Sequence, residues 1–216
     1  MPPVERFICR FAAEPPQETL PDGDWAHTLQ SEFLAACLRI DAEGQEIGEA
    51  GELRWFPDRT WNRRTYVPVT ARTSTGLELF GYVSFIAGDP EGSGSDAEPS
   101  SFRSTADFTD ETAEANPDWR IDLCEEVIGT WRGEGGHRAE MTLVCGVPLL
   151  SGARVATAEL AGLAVDQCAL ADDRFTLIAP DAYRSDYVDV KLWDADGREL
   201  ASESLYVEDG EDEEEE

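Results

Sequence analysis

Short runs in which apolar residues recur at every second position dominate this chain, and they constrain its fold more than any other feature. Successive side chains of a β-strand point to opposite faces, so a period of two gives one face to a core and the other to water. Phe7, Cys9 and Phe11 share a face in the first such run, and Leu34, Ala36, Leu38 and Ile40 in the next. Between Thr65 and Thr73, Val67, Val69 and Ala71 point one way while Tyr66, Thr70 and Arg72 point the other. Leu77 to Ile86 is apolar on both faces, as expected of a central strand. Trp119, Ile121 and Leu123 alternate with Arg120 and Asp122, and further candidate strands cover 139–147, 153–160, 174–179, 187–193 and 199–206. Ser74-Thr75-Gly76, Gly133-Glu134-Gly135-Gly136 and Ser151-Gly152 lie between such runs, where hairpin turns belong. The pattern predicts an all-β fold, a β-sandwich or barrel-like, with about ten short strands and at most one or two short helices. The one helix candidate has Asp24 as its cap and Trp25, Leu29 and Phe33 spaced by four; it has to stop before the alternating run at Leu34.

Composition divides the chain into four parts. Residues 1–87 form one β-rich block and residues 118–207 a second, either as separate units or as halves sharing one core. Residues 88–117 are rich in Gly, Ser, Pro, Asp and Glu and read as an acidic linker or long loop. Residues 208–216, EDGEDEEEE, read as a disordered acidic tail, because like charges repel. The last two segments carry 15 of the 29 net negative charges of the 216-residue chain. A charge of −29 argues against nucleic acid and against anionic membrane surfaces, which both attract positive footprints. Sixteen of the 17 cations are Arg, with Lys191 the exception, a bias that a GC-rich genome or a salt-adapted cytoplasm produces. No apolar run approaches the roughly 20 residues of a membrane span, and the N-terminus lacks a signal-peptide core, so the expected location is the cytoplasm.

Chemistry-bearing motifs are few. The five cysteines, Cys9, Cys37, Cys124, Cys145 and Cys168, are widely spaced without a CxxC pair, and read as free, mostly buried thiols. His27 and His137 have no partner at zinc-ligand spacing, and no metal or cofactor is expected. No nucleophile elbow, P-loop or dinucleotide fingerprint occurs. Asp194-Ala195-Asp196-Gly197 lacks the Gly and Glu positions of a calcium loop. It does resemble Asp41-Ala42-Glu43-Gly44, which reads as the same hairpin turn recurring by chance rather than as a duplicated β unit. Gly129-Thr130-Trp131-Arg132-Gly133-Glu134-Gly135 resembles the G-x-W opening strand of calycin-type barrels, especially the nitrobindin-like haem-binding barrels. That likeness covers seven residues. It implies a barrel with an apolar cavity near Trp131 for a small hydrophobic ligand or haem, although no His follows His137 to serve as a C-terminal ligand. On its own pattern the segment is a strand with Val127, Gly129 and Trp131 on one face.

The most informative stretch is Leu53 to Arg72. It holds Arg54, Arg59, Arg63, Arg64 and Arg72 against Asp58 alone, interleaved with Trp55, Phe56, Trp61 and Tyr66. Arg and large aromatics dominate binding hot spots, because they bury area at low entropic cost and add planar hydrogen bonding. Phe56 to Arg64 lacks alternation and reads as a loop on a β scaffold, where sites usually sit. The expected function is a non-enzymatic binding or assembly module, with Arg54, Trp55, Arg59, Trp61, Arg63, Arg64 and Tyr66 as the docking surface for a protein or other carboxylate-bearing partner. The alternatives are the ligand-carrying barrel, an enzyme of unrecognised type, and a mimic of DNA built from the acidic surface.

Overall fold

In a computed structural model, which describes residues 20–21, 23–87, 99–133 and 136–206, the alternating runs become twelve strands in three antiparallel sheets. The first sheet holds β1 (Arg54–Trp55), β2 (Arg59–Trp61), β3 (Arg64–Arg72), β4 (Glu78–Ile86) and β5 (Ser100–Thr109), ordered β1-β3-β4-β5 with β2 also paired to β3. The second holds β6 (Ile121–Arg132), β7 (Arg138–Pro148) and β10 (Phe175–Asp181), ordered β10-β7-β6. The third holds β8 (Val155–Leu160), β9 (Leu163–Ala169), β11 (Val188–Trp193) and β12 (Glu199–Ser204), ordered β12-β11-β8-β9. Helix α1 (Gly23–Cys37) is the one helix among the described residues.

Side-chain alternation stacks these elements in layers. On β3, Val67, Val69 and Ala71 turn toward α1 and pack with Leu29, Phe33, Leu79 and Val83. The next side chain round, Tyr66, turns the other way and meets Met141, Leu143 and Ile178 of the second sheet. Within that sheet the intervening residues Val144, Leu177 and Ala179 face away, onto Ala156, Ala158, Val188, Val190 and Leu192 of the third. The middle sheet is therefore covered on both sides, which is why β7 and β10 read as near-continuous apolar runs rather than as alternation. The two sequence blocks meet through the small cluster at Tyr66, with Trp61, Tyr82, Ile128 and Trp131 around it.

Several elements differ from the expectation. The run Leu34 to Ile40 is not a strand: the helix continues to Cys37 and encloses Asp24. Leu29, Phe33 and Ala36 recur at spacings of four and three and are all buried, while Leu38, grouped with them by alternation, is 88% exposed. A period of 3.6 and a period of two share some positions over seven residues, and packing against the sheet selects the helical one. Part of the expected acidic linker is strand β5, paired along β4 from Glu78↔Thr109 to Ile86↔Ser100. Phe102, Ala106 and Phe108 alternate there and pack under the helix, so three apolar contacts hold a segment that is otherwise polar. The expected loop 56–64 contains β2, joined to β3 by Asn62-Arg63, both at positive φ (51° and 65°) as a tight hairpin turn needs. Strand β9 lies outside the expected set.

On β6 a bulge between Val127 and Gly129 reverses the side-chain phase. Val127 turns to solvent at 53% exposure, whereas Gly129 and Trp131 turn inward, so the three do not share a face. β6 is an outer strand of a three-stranded sheet, unlike the opening strand of a closed up-and-down barrel. Asp194–Arg198 turns between two strands, but Asp41–Gln45 follows a helix, so the similar sequences are not copies of one β unit. The expected strand 7–11 and the tail 208–216 lie outside the described residues. No helix among the described residues is long and apolar enough to cross a membrane.

Candidate functional site

Where the first sheet meets the end of the second, a cleft of about 800 Å³ opens. Its wall is built from β1, the end of β3, the start of β4, the 110–119 turn and the paired residues Asp122 and Val147 of β6 and β7. Arg54, Arg72 and Arg174 line it, together with Trp55, whose half-buried ring packs on the opposite, α1-facing side of the sheet from Arg54 and Arg72. Strand β1 is only two residues long, held by the register Arg54↔Thr70 and Trp55↔Val69. Arg174 adds to this anchoring by donating from Nη1 to the Trp55 carbonyl at 2.7 Å, a link of 119 residues in sequence. Arg72, at the end of β3, forms an ion pair with Glu114 and donates to the Gly76 carbonyl at 3.3 Å. Both members of that pair are open to solvent, at 44% and 80% side-chain exposure, so it contributes little to stability and opens easily.

The cleft floor carries carboxylates. Burial pushes the Asp122 carboxyl above its ordinary value, and Glu78 adds to the rise, while Arg54 and Arg72 oppose it. Four residues further along β6, burial and then Asp107 push Glu126 up in the same way. Groups with raised values bind protons more tightly when folded. Their contribution to stability is thus complete below the ordinary carboxyl range near pH 4 and is lost as pH rises through the raised values. The double substitution Asp122→Asn with Glu126→Gln mimics the protonated state. We expect it to raise the melting temperature at pH 7, with the difference from the unsubstituted protein closing as pH falls below about 4. A thermal-melting series from pH 4 to 7 checks this, and a difference that does not change with pH counts against it.

The seven residues expected to dock a partner divide sharply. Arg54 and Trp55 lie at the cleft. Arg59 is buried at 2% exposure and forms an ion pair with Asp166, so it joins the two blocks rather than facing a partner. Tyr66 is buried at 5%, with its ring edge-on to Tyr82 at 5.4 Å. Trp61 packs on the same inter-block cluster and lies so close over Gly129 that a Cβ there would sit 2.8 Å from its ring. Arg64 is half-buried and donates to the Ser101 carbonyl at 2.9 Å and to Ser84 Oγ at 3.3 Å. Arg63 is exposed at the hairpin turn. The sequence pattern therefore marks a real concentration of contacts, most of them internal. Arg72 was inside that stretch, but Arg174, Glu78, Glu114 and Asp122 carry no local signal and come together only through the sheet packing.

His27 and His137 are both exposed, the latter edge-on to Tyr183 at 6.0 Å. Among the described residues, no three His, Cys, Asp or Glu side chains gather in a group able to hold a metal ion. The chain matches no family model, no curated protein and no solved structure.

Proposed function

We propose that the protein is a non-enzymatic binding module that captures a carboxylate-bearing segment of a partner protein at the mouth of the cleft, through Arg54 and Arg72. The observation that carries this reading is the exposed Arg72–Glu114 pair. A carboxylate on a solvent-facing turn already reaches a guanidinium at the cleft, across 42 residues of sequence, by a contact weak enough to exchange. A partner carboxylate replaces Glu114 with the same geometry. Arg174 fixes the backbone of the short strand on which Arg54 stands, by its bond to the Trp55 carbonyl. The charge of −29 does not oppose such capture at physiological salt. Screening over about 8 Å leaves recognition to the local charges, where Arg54, Arg72 and Arg174 stand among Glu52, Glu78, Glu114 and Asp122, so capture rests on exchange with Glu114 at Arg72 rather than on a net positive cleft.

A fluorescein-labelled glutamate-rich peptide, titrated at physiological ionic strength, tests the reading. Saturable binding is expected, weakened about tenfold or more by Arg54→Ala with Arg72→Ala, since a hydrogen bond to a charged group contributes about 1.5–3 kcal/mol. Arg63→Ala with Arg64→Ala is expected to leave binding unchanged. Loss of binding confined to the second pair moves the site to the hairpin turn and overturns the cleft, and so does a peptide that fails to bind at all.

A further inference from the structure

We propose that Cys124 and Cys145 are a redox-active thiol pair that closes reversibly to a disulfide between strands β6 and β7. The two residues are 21 positions apart in sequence, and the strand register sets them directly opposite one another. Directly opposite residues of an antiparallel pair have Cα atoms about 4.5 or 5.5 Å apart, depending on whether they share hydrogen bonds. Both spacings fall inside the window of about 4.4–6.8 Å that a disulfide spans. Both side chains point to the same face of the sheet, since opposed residues of a ladder do so. Cys37, at the end of α1, and Cys168, on β9, stand on other elements, so the pairing is confined to these two among the described cysteines.

The two thiols are not equivalent. Cys124 is half-exposed and Cys145 is buried at 5% exposure. The neighbouring Cys124 thiol, then burial, then the negative charges of Asp122 and Glu78 push the Cys145 thiol well above its ordinary range and keep it protonated. Cys124 is thus the sulfur that meets an oxidant, and Cys145 the one that resolves the adduct. With a small disulfide such as oxidised glutathione, the Cys124 thiolate attacks one sulfur, forms a mixed disulfide and expels one glutathione thiolate. Cys145 then gives up its proton, attacks Cys124 Sγ and expels the second glutathione thiolate. The protein loses two electrons and two protons, and the small disulfide becomes two thiols. The site does not depend on the binding function proposed for the cleft.

The full-length reduced protein, equilibrated with oxidised and reduced glutathione at graded ratios, alkylated and mapped by mass spectrometry, tests the pair. The expected product is a Cys124–Cys145 linked peptide, with the other three of the five cysteines alkylated and the linkage removed by dithiothreitol. Cys145→Ala is expected to hold glutathione on Cys124, whereas Cys124→Ala is expected to leave Cys145 without it. Cys145→Ser serves as a second trap should the alanine variant fold poorly. Five alkylated cysteines at every ratio overturn the proposal. So do glutathione that stays on Cys124 of the unsubstituted protein and linkage between any other pair.

Discussion

Asp166→Ala is expected to destabilise the protein by about 3–5 kcal/mol, the cost of removing one partner from a buried ion pair. Asp166 is 9% exposed, and Arg59, its partner across 107 residues, is 2% exposed. The carboxylate does more than neutralise the guanidinium. Its Oδ2 accepts the Ile178 N–H at 2.8 Å and its Oδ1 the Gln167 N–H at 2.9 Å, so one side chain ties β2, β9 and β10 together. Burial pushes this carboxyl up, against the pull of Arg59 and of those two amides. Without it, a guanidinium remains in the apolar contact between the blocks and the Ile178 amide loses its acceptor. Urea unfolding checks the size of the effect. The double variant Arg59→Met with Asp166→Leu is expected to recover part of the loss, because apolar residues of similar volume need no counter-charge, while the Ile178 amide still lacks its acceptor. A single variant within about 0.5 kcal/mol of the parent would show that the blocks do not depend on this pair.

This ion pair also shows what local pattern makes legible and what it hides. Strand alternation is a property of neighbours in sequence, and β3, β4, β7, β8, β10, β11 and β12 fall where the apolar periods place them. Arg59 stands out in sequence for its company of arginines and aromatics, yet its fate is set by Asp166, which no local rule connects to it. The same is true of Trp61 and Tyr66. A surface hot spot and an interior contact between sheets draw on the same residue types for the same reasons, so composition cannot separate them. The cleft is harder still. Arg174 precedes β10 in an unremarkable turn, and it reaches Trp55 only because the second sheet lies against the first. Where two periods coincide, as from Leu34 to Ile40, the choice between helix and strand is made by the face available for burial. In β5 a largely polar strand is held by pairing with β4 and by three apolar residues beneath the helix.

Gly81→Ala is expected to cost about 3 kcal/mol or more, through overpacking together with backbone strain. Gly81 sits in the middle of β4 at φ 151°, where a Cβ would lie 2.3 Å from the Thr105 carbonyl oxygen and 3.0 Å from the Ala106 Cα. Those atoms are backbone of the paired strand, so no side-chain rotation relieves the clash. The strands themselves must separate at Tyr82↔Thr105 and Gly81↔Ala106. β5 is the outer strand of its sheet, and α1 rests on Phe102, Ala106 and Phe108. Displacing β5 therefore loosens the helix as well, and the loss should exceed that of a clash confined to one side chain. Gly76→Ala gives the comparison: its φ is 90°, but nothing lies within 4 Å of the added carbon, so only the backbone penalty of about 1–2 kcal/mol applies. Urea midpoints for the two variants separate steric from conformational cost. Equal losses would mean that β4 and β5 part without penalty, and that the helix is held to the sheet by Val67, Val69 and Val83 rather than through β5.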